Sequence, residues 1–169
     1  MNHTKKTALK MRRCSSTDYQ SIAKIYNYYI LNTRFTMDDQ PLKEQDVAGW
    51  VAHFNDRERL FVCKDGTETI GFTKISKYSH KFGYRFACET SIYFKPNLTG
   101  KGYGTFFQQA LMDACKALGY KTLIAKIPVH NAGSIRFHRR FGFETVGVNH
   151  QIGWKLGEFV DIMMLQAKI

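Results

Sequence analysis

An α/β fold, one mixed sheet flanked by helices, is what this sequence predicts, and three observations predict it. Apolar residues recur at helical spacing in several stretches, β-rich runs alternate with those stretches, and turn-forming Gly, Pro, Asn and Asp fall between them. "ALKMRRC" reads as the first strand. After Ser16 as an N-cap, Ile22, Ile25, Tyr26, Tyr29 and Ile30 form one apolar stripe, the pattern of a core-facing helix. Val47, Trp50, Val51 and Phe54 repeat the pattern beyond Pro41. In "RLFVCKDGTETIGFTKIS", Asp65 and Gly66 stand between two β-rich runs, the composition of a hairpin turn. "FACETSIYF" is a fourth strand. A third helix carries Phe106, Phe107, Ala110, Leu111 and Ala114 and closes near Gly119. "KTLIAKI" follows as a strand, "NAGSIRFHRRFGF" as a short helix with Gly142 past its end, and "ETVGVNHQIG" and "EFVDIMMLQ" as the last two strands.

The chain's 169 residues, 44% of them hydrophobic, suit one core, so residues 1–169 are expected to form a single domain. No apolar run reaches the roughly 18 residues that would span a bilayer, and the basic start "MNHTKKTALK" lacks the apolar stretch of a secretory leader. A cytoplasmic protein without a membrane partner is the expectation. Cys14, Cys63, Cys88 and Cys115 show no metal-ligand spacing, so reduced thiols and no metal are expected. The formal charge of +11 raises nucleic acid as a partner, but the bases are scattered and no recognition motif accompanies them. Nucleic-acid binding is therefore not expected. The densest group beyond the N-terminus, Arg136, Arg139 and Arg140, suits a small phosphorylated ligand equally well.

The segment "ETSIYFKPNLTGKGYGTFFQQAL" joins the fourth strand to the third helix through Gly100, Gly102 and Gly104. Without Cβ atoms, successive N–H groups there can turn toward one point, and the helix beginning at the joint adds the positive end of its dipole. A pyrophosphate fits that description, and so does a turn packed tightly between strand and helix. No G-K-[ST] ends the run, so it is not a P-loop.

"TGKGYG" resembles the R/Q-x-x-G-x-G/A motif of the GCN5-related N-acetyltransferases, and "NAGSIRFHRRFGF" resembles their second signature. With "IYNYYILNT", "ETSIYF" and "GWKLGEFVDIMMLQ", the resemblance narrows to the phosphinothricin and methionine sulfoximine N-acetyltransferase branch and covers the chain from about Leu9 to Gln166. It implies a mostly antiparallel sheet of about seven strands flanked by about four helices, acetyl-CoA as co-substrate, a small amine as acceptor, and a homodimer.

Site residues follow from the same resemblance. Backbone of Ile92, Tyr93 and Phe94 would hydrogen-bond the pantetheine arm, and the N–H groups near Tyr93 and Phe94 would polarise the thioester carbonyl. Gly100, Lys101, Gly102, Tyr103, Gly104 and Thr105 would wrap the pyrophosphate. Asn131 would bind pantetheine amides with Ser134 nearby; the bland alternative is an N-cap and a solvated helix position, which the residues alone favour for Ser134. Thr99 departs from the pattern, standing where arginine or glutamine is usual.

Acetyl transfer to an amine requires proton removal from an ammonium, polarisation of the thioester and support for the leaving thiolate. Glu89, a carboxylate set mid-strand, matches the family's general base; its bland alternative is a partner for a nearby lysine or arginine. His138 falls where most of the superfamily has a tyrosine as general acid and this branch a histidine, four residues after Ser134 and on the same helix face; its bland alternative is an imidazole satisfied by a local carbonyl. Lys81, Tyr84 and Arg85 match a segment that pairs with an α-carboxylate, and the position of a substrate-contacting aromatic falls on Met37, with Phe35 beside it. The acceptor expected is an amino-acid-like amine. A polyamine, an aminoglycoside or a protein N-terminus is the second enzyme reading, and a non-catalytic acyl-CoA-binding regulator the third.

Overall fold

The computed structural model describes residues 8–169, so the basic stretch at 1–7 lies outside the described residues. Strands β1 (Leu9–Arg13), β2 (Arg59–Asp65), β3 (Glu68–Lys77), β4 (Ala87–Phe94), β5 (Thr122–Pro128), β6 (Glu144–Lys155) and β7 (Glu158–Lys168) form one sheet in the order β1-β2-β3-β4-β5-β7-β6. Helices α1 (Tyr19–Asn32), α2 (Glu44–Ala52), α3 (Tyr103–Ala117) and α4 (Ala132–Arg139) flank it. Every pairing is antiparallel except β4 with β5. The expected architecture is therefore present, strand for strand.

Local chemistry accounts for the boundaries. Gly66 turns the β2–β3 hairpin at φ 59°, and Gly119 and Gly142 follow α3 and α4 at φ near 80°, a region that only glycine enters freely. At the start of α1 the cap differs slightly from expectation. Ser15, not Ser16, precedes a single 3₁₀ turn, and the Asp18 carboxylate accepts from the Ser15 N–H and from both terminal nitrogens of Arg12. Burial pushes that carboxyl up, but hydrogen bonds from Arg12 and Ser15 outweigh it and hold it at about 2. Phe54 lies just beyond α2, where the His53 N–H closes the helix on the carbonyls of Gly49 and Trp50.

Two cores lie on opposite faces of the sheet. On one face the α1 stripe of Ile22, Ile25, Tyr26, Tyr29 and Ile30 packs on Val62 and Phe72. On the other, Leu111 and Cys115 of α3 and Ile135 of α4 pack on Cys88, Leu123 and Leu165. Because strand side chains alternate, β4 sends Cys88 toward α3 and Glu89, Ser91 and Tyr93 toward α1. One glycine holds the middle of the sheet together. A Cβ on Gly71, which pairs with Phe94, would lie 2.6 Å from both the Tyr93 carbonyl oxygen and the Phe94 ring. Gly71→Ala should consequently destabilise the protein by about 1–3 kcal/mol through overpacking. A denaturant midpoint equal to wild type would show that β3 and β4 can move apart at no cost.

Candidate active site

The parallel pairing of β4 with β5 ends almost as soon as it begins. It covers Ala87–Thr122, Cys88–Leu123 and Glu89–Ile124; beyond these the ladder is not continued, while β4 stays bound to β3 as far as Phe94 and β5 stays bound to β7 as far as Pro128. A cleft of about 590 Å³ opens between the parting strands, bounded by Thr90 to Phe94 on one side and Ala125 to Pro128 on the other. Backbone groups on the facing edges lose their sheet partners there, which leaves them for a ligand to satisfy. The Phe94 carbonyl is already met by the Tyr29 hydroxyl at 2.6 Å. The Thr90 hydroxyl, buried in the cleft wall, has no hydrogen-bond partner among the described residues.

The glycine segment closes one end of the cleft. Gly100 and Gly102 adopt φ of 77° and 88°, and a Cβ on either would meet nothing within 4 Å, so these two supply the turn and an open concavity at the N-terminus of α3. Gly104 serves packing. A Cβ there would lie 3.0 Å from the Phe137 ring, so its absence lets α3 approach α4. Thr105 borders the cleft, whereas Lys101 and Tyr103 do not; Tyr103 turns away and donates to Asp65 at 3.0 Å. The six residues expected around a phosphate are thus divided: Gly100, Gly102, Gly104 and Thr105 border the cleft, and Lys101 and Tyr103 do not. Thr99 borders the cleft as well, with its hydroxyl turned back to the Pro96 carbonyl.

Asn131 begins α4 and does what an N-cap does, its Oδ1 accepting from the Ser134 N–H at 3.2 Å, while also bordering the cleft beside Ser134. His138 lines the cleft one turn further on and is only 5% exposed. Its Nδ1 lies 2.8 Å from the Ser134 carbonyl oxygen. A carbonyl accepts only, so Nδ1 carries the proton and Nε2 the lone pair. Burial lowers the His138 pKa from its ordinary value of 6.5, against the opposing effect of that hydrogen bond. A neutral imidazole in this tautomer has no Nε2 proton to give, which runs against the general-acid role expected of it.

Glu89 sits where β4 and β5 part. A third of its side chain is exposed, and its Oε1 accepts from Lys126 Nζ at 2.5 Å. Lys126 lies two residues beyond Ile124, the register partner of Glu89, and so shares its face of the sheet. The carboxylate is thus partly desolvated, and the lysine partner that its bland alternative called for stands beside it. Cys88, its neighbour in sequence, points to the opposite face with its Sγ 3.9 Å from that of Cys115. The hydrogen bond with Cys115 and burial both push the Cys88 thiol well above the ordinary range, so it offers no thiolate.

On the α1 side of the sheet, Tyr93 packs at 4.9 Å from Tyr26, whose hydroxyl bonds Thr36 and donates to Asp38 Oδ2, both at 2.6 Å. Lys74 lays its ammonium 4.4 Å over the Trp50 ring, one strand from its register partner Ser91. The residues expected to hold an acceptor carboxylate are elsewhere. Lys81, Tyr84 and Arg85 border a separate hollow of about 210 Å³, where Arg85 stacks on Phe82 and Phe86 and Tyr84 packs against Tyr78. Met37 does not line the cleft; a Cβ on Gly153 would touch its sulfur, so glycine at 153 is what gives Met37 its seat. Phe35 lines the cleft in its place and stacks with His130 at 5.6 Å. Sequence reasoning missed Thr90, Lys126 and Phe137, and for Lys126 the only available signal was a charge at a strand position otherwise filled by apolar residues. Among the described residues no cluster could hold a metal ion, and no helix is long and apolar enough to cross a membrane.

A sheet opened between two parallel strands, with a glycine turn leading into a helix at one end and a carboxylate at the point of parting, defines a site for an extended, phosphate-bearing cosubstrate and an acceptor. The profile of the acetyltransferase (GNAT) family matches residues 23–143, and the chain belongs to that family. It is similar to the phosphinothricin N-acetyltransferase of Streptomyces coelicolor, 31% identical over 86% of this chain and 87% of the relative. The L-methionine sulfoximine/L-methionine sulfone acetyltransferase of Pseudomonas aeruginosa is 32% identical over 94% of each chain. Among solved structures, a GNAT superfamily phosphinothricin acetyltransferase from Sinorhizobium meliloti in complex with acetyl-CoA superposes with a TM-score of 0.89 at 31% identity, covering 95% of this chain and 88% of the other.

The His138 environment has a measurable consequence. In the unfolded chain its imidazole takes a proton near pH 6.5, whereas in the folded protein it does so only at lower pH. Its contribution to stability is therefore complete above pH 6.5 and is lost as pH falls through the folded value. His138→Asn keeps an N–H near the Ser134 carbonyl but cannot titrate, so its melting temperature should fall less between pH 7 and 5 than that of wild type. Equal falls would assign the acid sensitivity to other groups.

Proposed function

We propose that this chain is an acetyl-CoA-dependent N-acetyltransferase that acylates the primary amine of a small amino-acid-like acceptor, of the phosphinothricin or methionine sulfoximine type, by direct attack while both substrates are bound. The observation that carries the reading is the parting of β4 and β5 beside Glu89, with the glycine turn at the far end of the cleft. Acetyl-CoA supplies an activated acyl group as a thioester. The chain's residues fit it: unpaired strand edges and the free Thr90 hydroxyl suit a pantetheine arm, the concavity at Gly100 and Gly102 suits a pyrophosphate, and Arg140, on the cleft rim, adds positive charge.

In this reading Glu89 takes the proton from the incoming ammonium, directly or through water, and backbone N–H groups near Tyr93 and Phe94 hold the thioester oxygen. His138, neutral and bonded to Ser134, orients the first turn of α4 against the cleft. The acyl group passes straight to the amine, because the one cysteine adjoining Glu89 faces away from it and is held protonated; as the C–N bond forms the C–S bond breaks, and CoA leaves as a thiolate that takes the second proton of the acylated nitrogen. Cationic amines such as polyamines and aminoglycosides fit less well, since Lys126 already occupies the carboxylate that a cation would approach.

Two proteins with single substitutions test the reading. Gly102→Val forces a branched side chain into a left-handed backbone at the phosphate site, so isothermal titration should show acetyl-CoA binding in wild type and its loss in the variant. Glu89→Gln should bind acetyl-CoA normally yet turn over roughly 10²- to 10⁴-fold more slowly at neutral pH, with the deficit shrinking as the amine itself loses its proton at higher pH. Undiminished turnover in Glu89→Gln would remove it as the base.

A homodimer is also proposed, on the strength of an apolar patch at the β6–β7 hairpin. Val146, Ile152, Trp154, Leu156 and Phe159 are all more than half exposed there, and Trp154 packs edge-on against Phe159 at 4.8 Å. Sedimentation velocity should give twice the chain mass for wild type and a monomer for Phe159→Glu. A monomeric wild type at micromolar concentration would overturn the assignment.

A further inference from the structure

The carboxylate proposed as base does not stand free. Lys126 Nζ holds Glu89 Oε1 at 2.5 Å; Lys126 lines the cleft, Glu89 stands where the strands part, and the two side chains are 45% and 32% exposed. An ion pair this exposed is weak and exchangeable. Lys74 adds a second cation on the same face of the sheet: its register partner Ser91 lines the cleft, Glu89 is the next residue of β4 on that face, and no carboxylate lies within ion-pair distance of its ammonium among the described residues. Burial lowers the Lys74 pKa, against the pull of Asp38, Glu89 and Glu58. Two of those acids are engaged elsewhere. Asp38 Oδ2 accepts from Tyr26, and the Glu58 carboxylate accepts from the backbone N–H groups of Asn55 and Lys77. Around the site of proton transfer, Lys126 thus occupies Glu89, while Lys74 forms no ion pair among the described residues and is drawn first by Asp38 and then by Glu89.

That balance disfavours an acceptor that brings only positive charge. An ammonium approaching Glu89 must displace Lys126, and the two cations then compete for one carboxylate. An amine that also carries an acid group meets the opposite situation, because the acid can take the displaced lysine. We propose that Lys126 selects the acceptor: it latches Glu89 until an anionic group on the acceptor, a carboxylate or phosphinate, takes the lysine ammonium and leaves Glu89 to receive the proton of the acceptor's ammonium. Lys74 lies behind as the second counter-charge. The inference rests on the transferase reading above and adds to it a residue and a charge requirement. It also moves the acid-binding role from Lys81, Tyr84 and Arg85, which lie outside the cleft, to strands β5 and β3.

The test compares L-methionine sulfone with its carboxamide, which differ only in the acid group, in wild type, Lys126→Met and Lys126→Arg. Wild type should favour the acid in kcat/KM by roughly tenfold or more, as expected for a charge-assisted contact. Lys126→Met should bring the ratio close to one, through a higher KM for the acid and a higher kcat for the carboxamide, whereas Lys126→Arg should keep the preference. A purely structural lysine would lower the melting temperature and slow both acceptors alike. Titration of each acceptor into protein saturated with CoA separates the two layers of the argument. Preferential binding of the acid that Lys126→Met abolishes, with no acetyl transfer to any amine, would overturn the transferase reading and keep the anion site. Transfer with the same acid-to-carboxamide ratio in wild type and Lys126→Met would overturn the latch and keep the transferase. Neither transfer nor preferential binding would overturn both.

Discussion

The separation of β4 from β5 is the constraint on which the rest of this structure depends. Two parallel strands that pair for only three residues leave polar backbone edges facing each other, and such edges are stable only if each strand is anchored on its outer side. Here β3 anchors β4 through the close Gly71–Phe94 pair, and the long β6–β7 hairpin anchors β5 through β7. The Tyr29 hydroxyl, from α1, satisfies the carbonyl of Phe94 at the end of β4. The gap can therefore persist as a site and does not have to close as a sheet.

Strand alternation then divides the chemistry between the two faces. β4 places Cys88 in the core under α3 and Glu89 on the side of α1, so adjacent residues acquire opposite fates: one a thiol held protonated beside Cys115, the other a carboxylate at the mouth of the cleft. The glycine turn and α4 provide uncharged backbone and a capped helix start on one side. Lysines from β3 and β5 provide charge on the other. A site arranged in this way suits the proposed reading, in which backbone groups hold a long polyanionic cosubstrate and side chains hold the acceptor.

The positive character of the chain gains a local meaning from this arrangement. Most of its 25 lysines and arginines are scattered, as composition alone indicated. Arg140 reaches the cleft rim, and Lys74 and Lys126 flank the carboxylate. The surplus charge that first raised nucleic acid as a partner is better placed for phosphate at one end of the cleft and an acid-bearing amine at the other.

The order and type of every strand and α-helix were legible in the sequence, because apolar periodicity, β-rich runs and the glycines at 66, 119 and 142 act over a few residues. So was the outline of the site: Gly100, Gly102, Asn131, Ser134 and His138 all border one cleft or its turn. What the sequence could not contain is who stands beside whom. Glu89 and Lys126 are 37 residues apart and meet only because β4 and β5 pair in one parallel register. Lys81, Tyr84 and Arg85 looked suited to an acceptor until the loop packed Arg85 on its own phenylalanines, and Met37 gave way to Phe35 because Gly153 offered the sulfur a seat. The tautomer of His138 was likewise decided by burial and by a carbonyl one turn away. Local sequence determines conformation because its forces are short-ranged, whereas ion pairs, burial and the width of a cleft depend on strand register and helix packing, which only the assembled fold supplies.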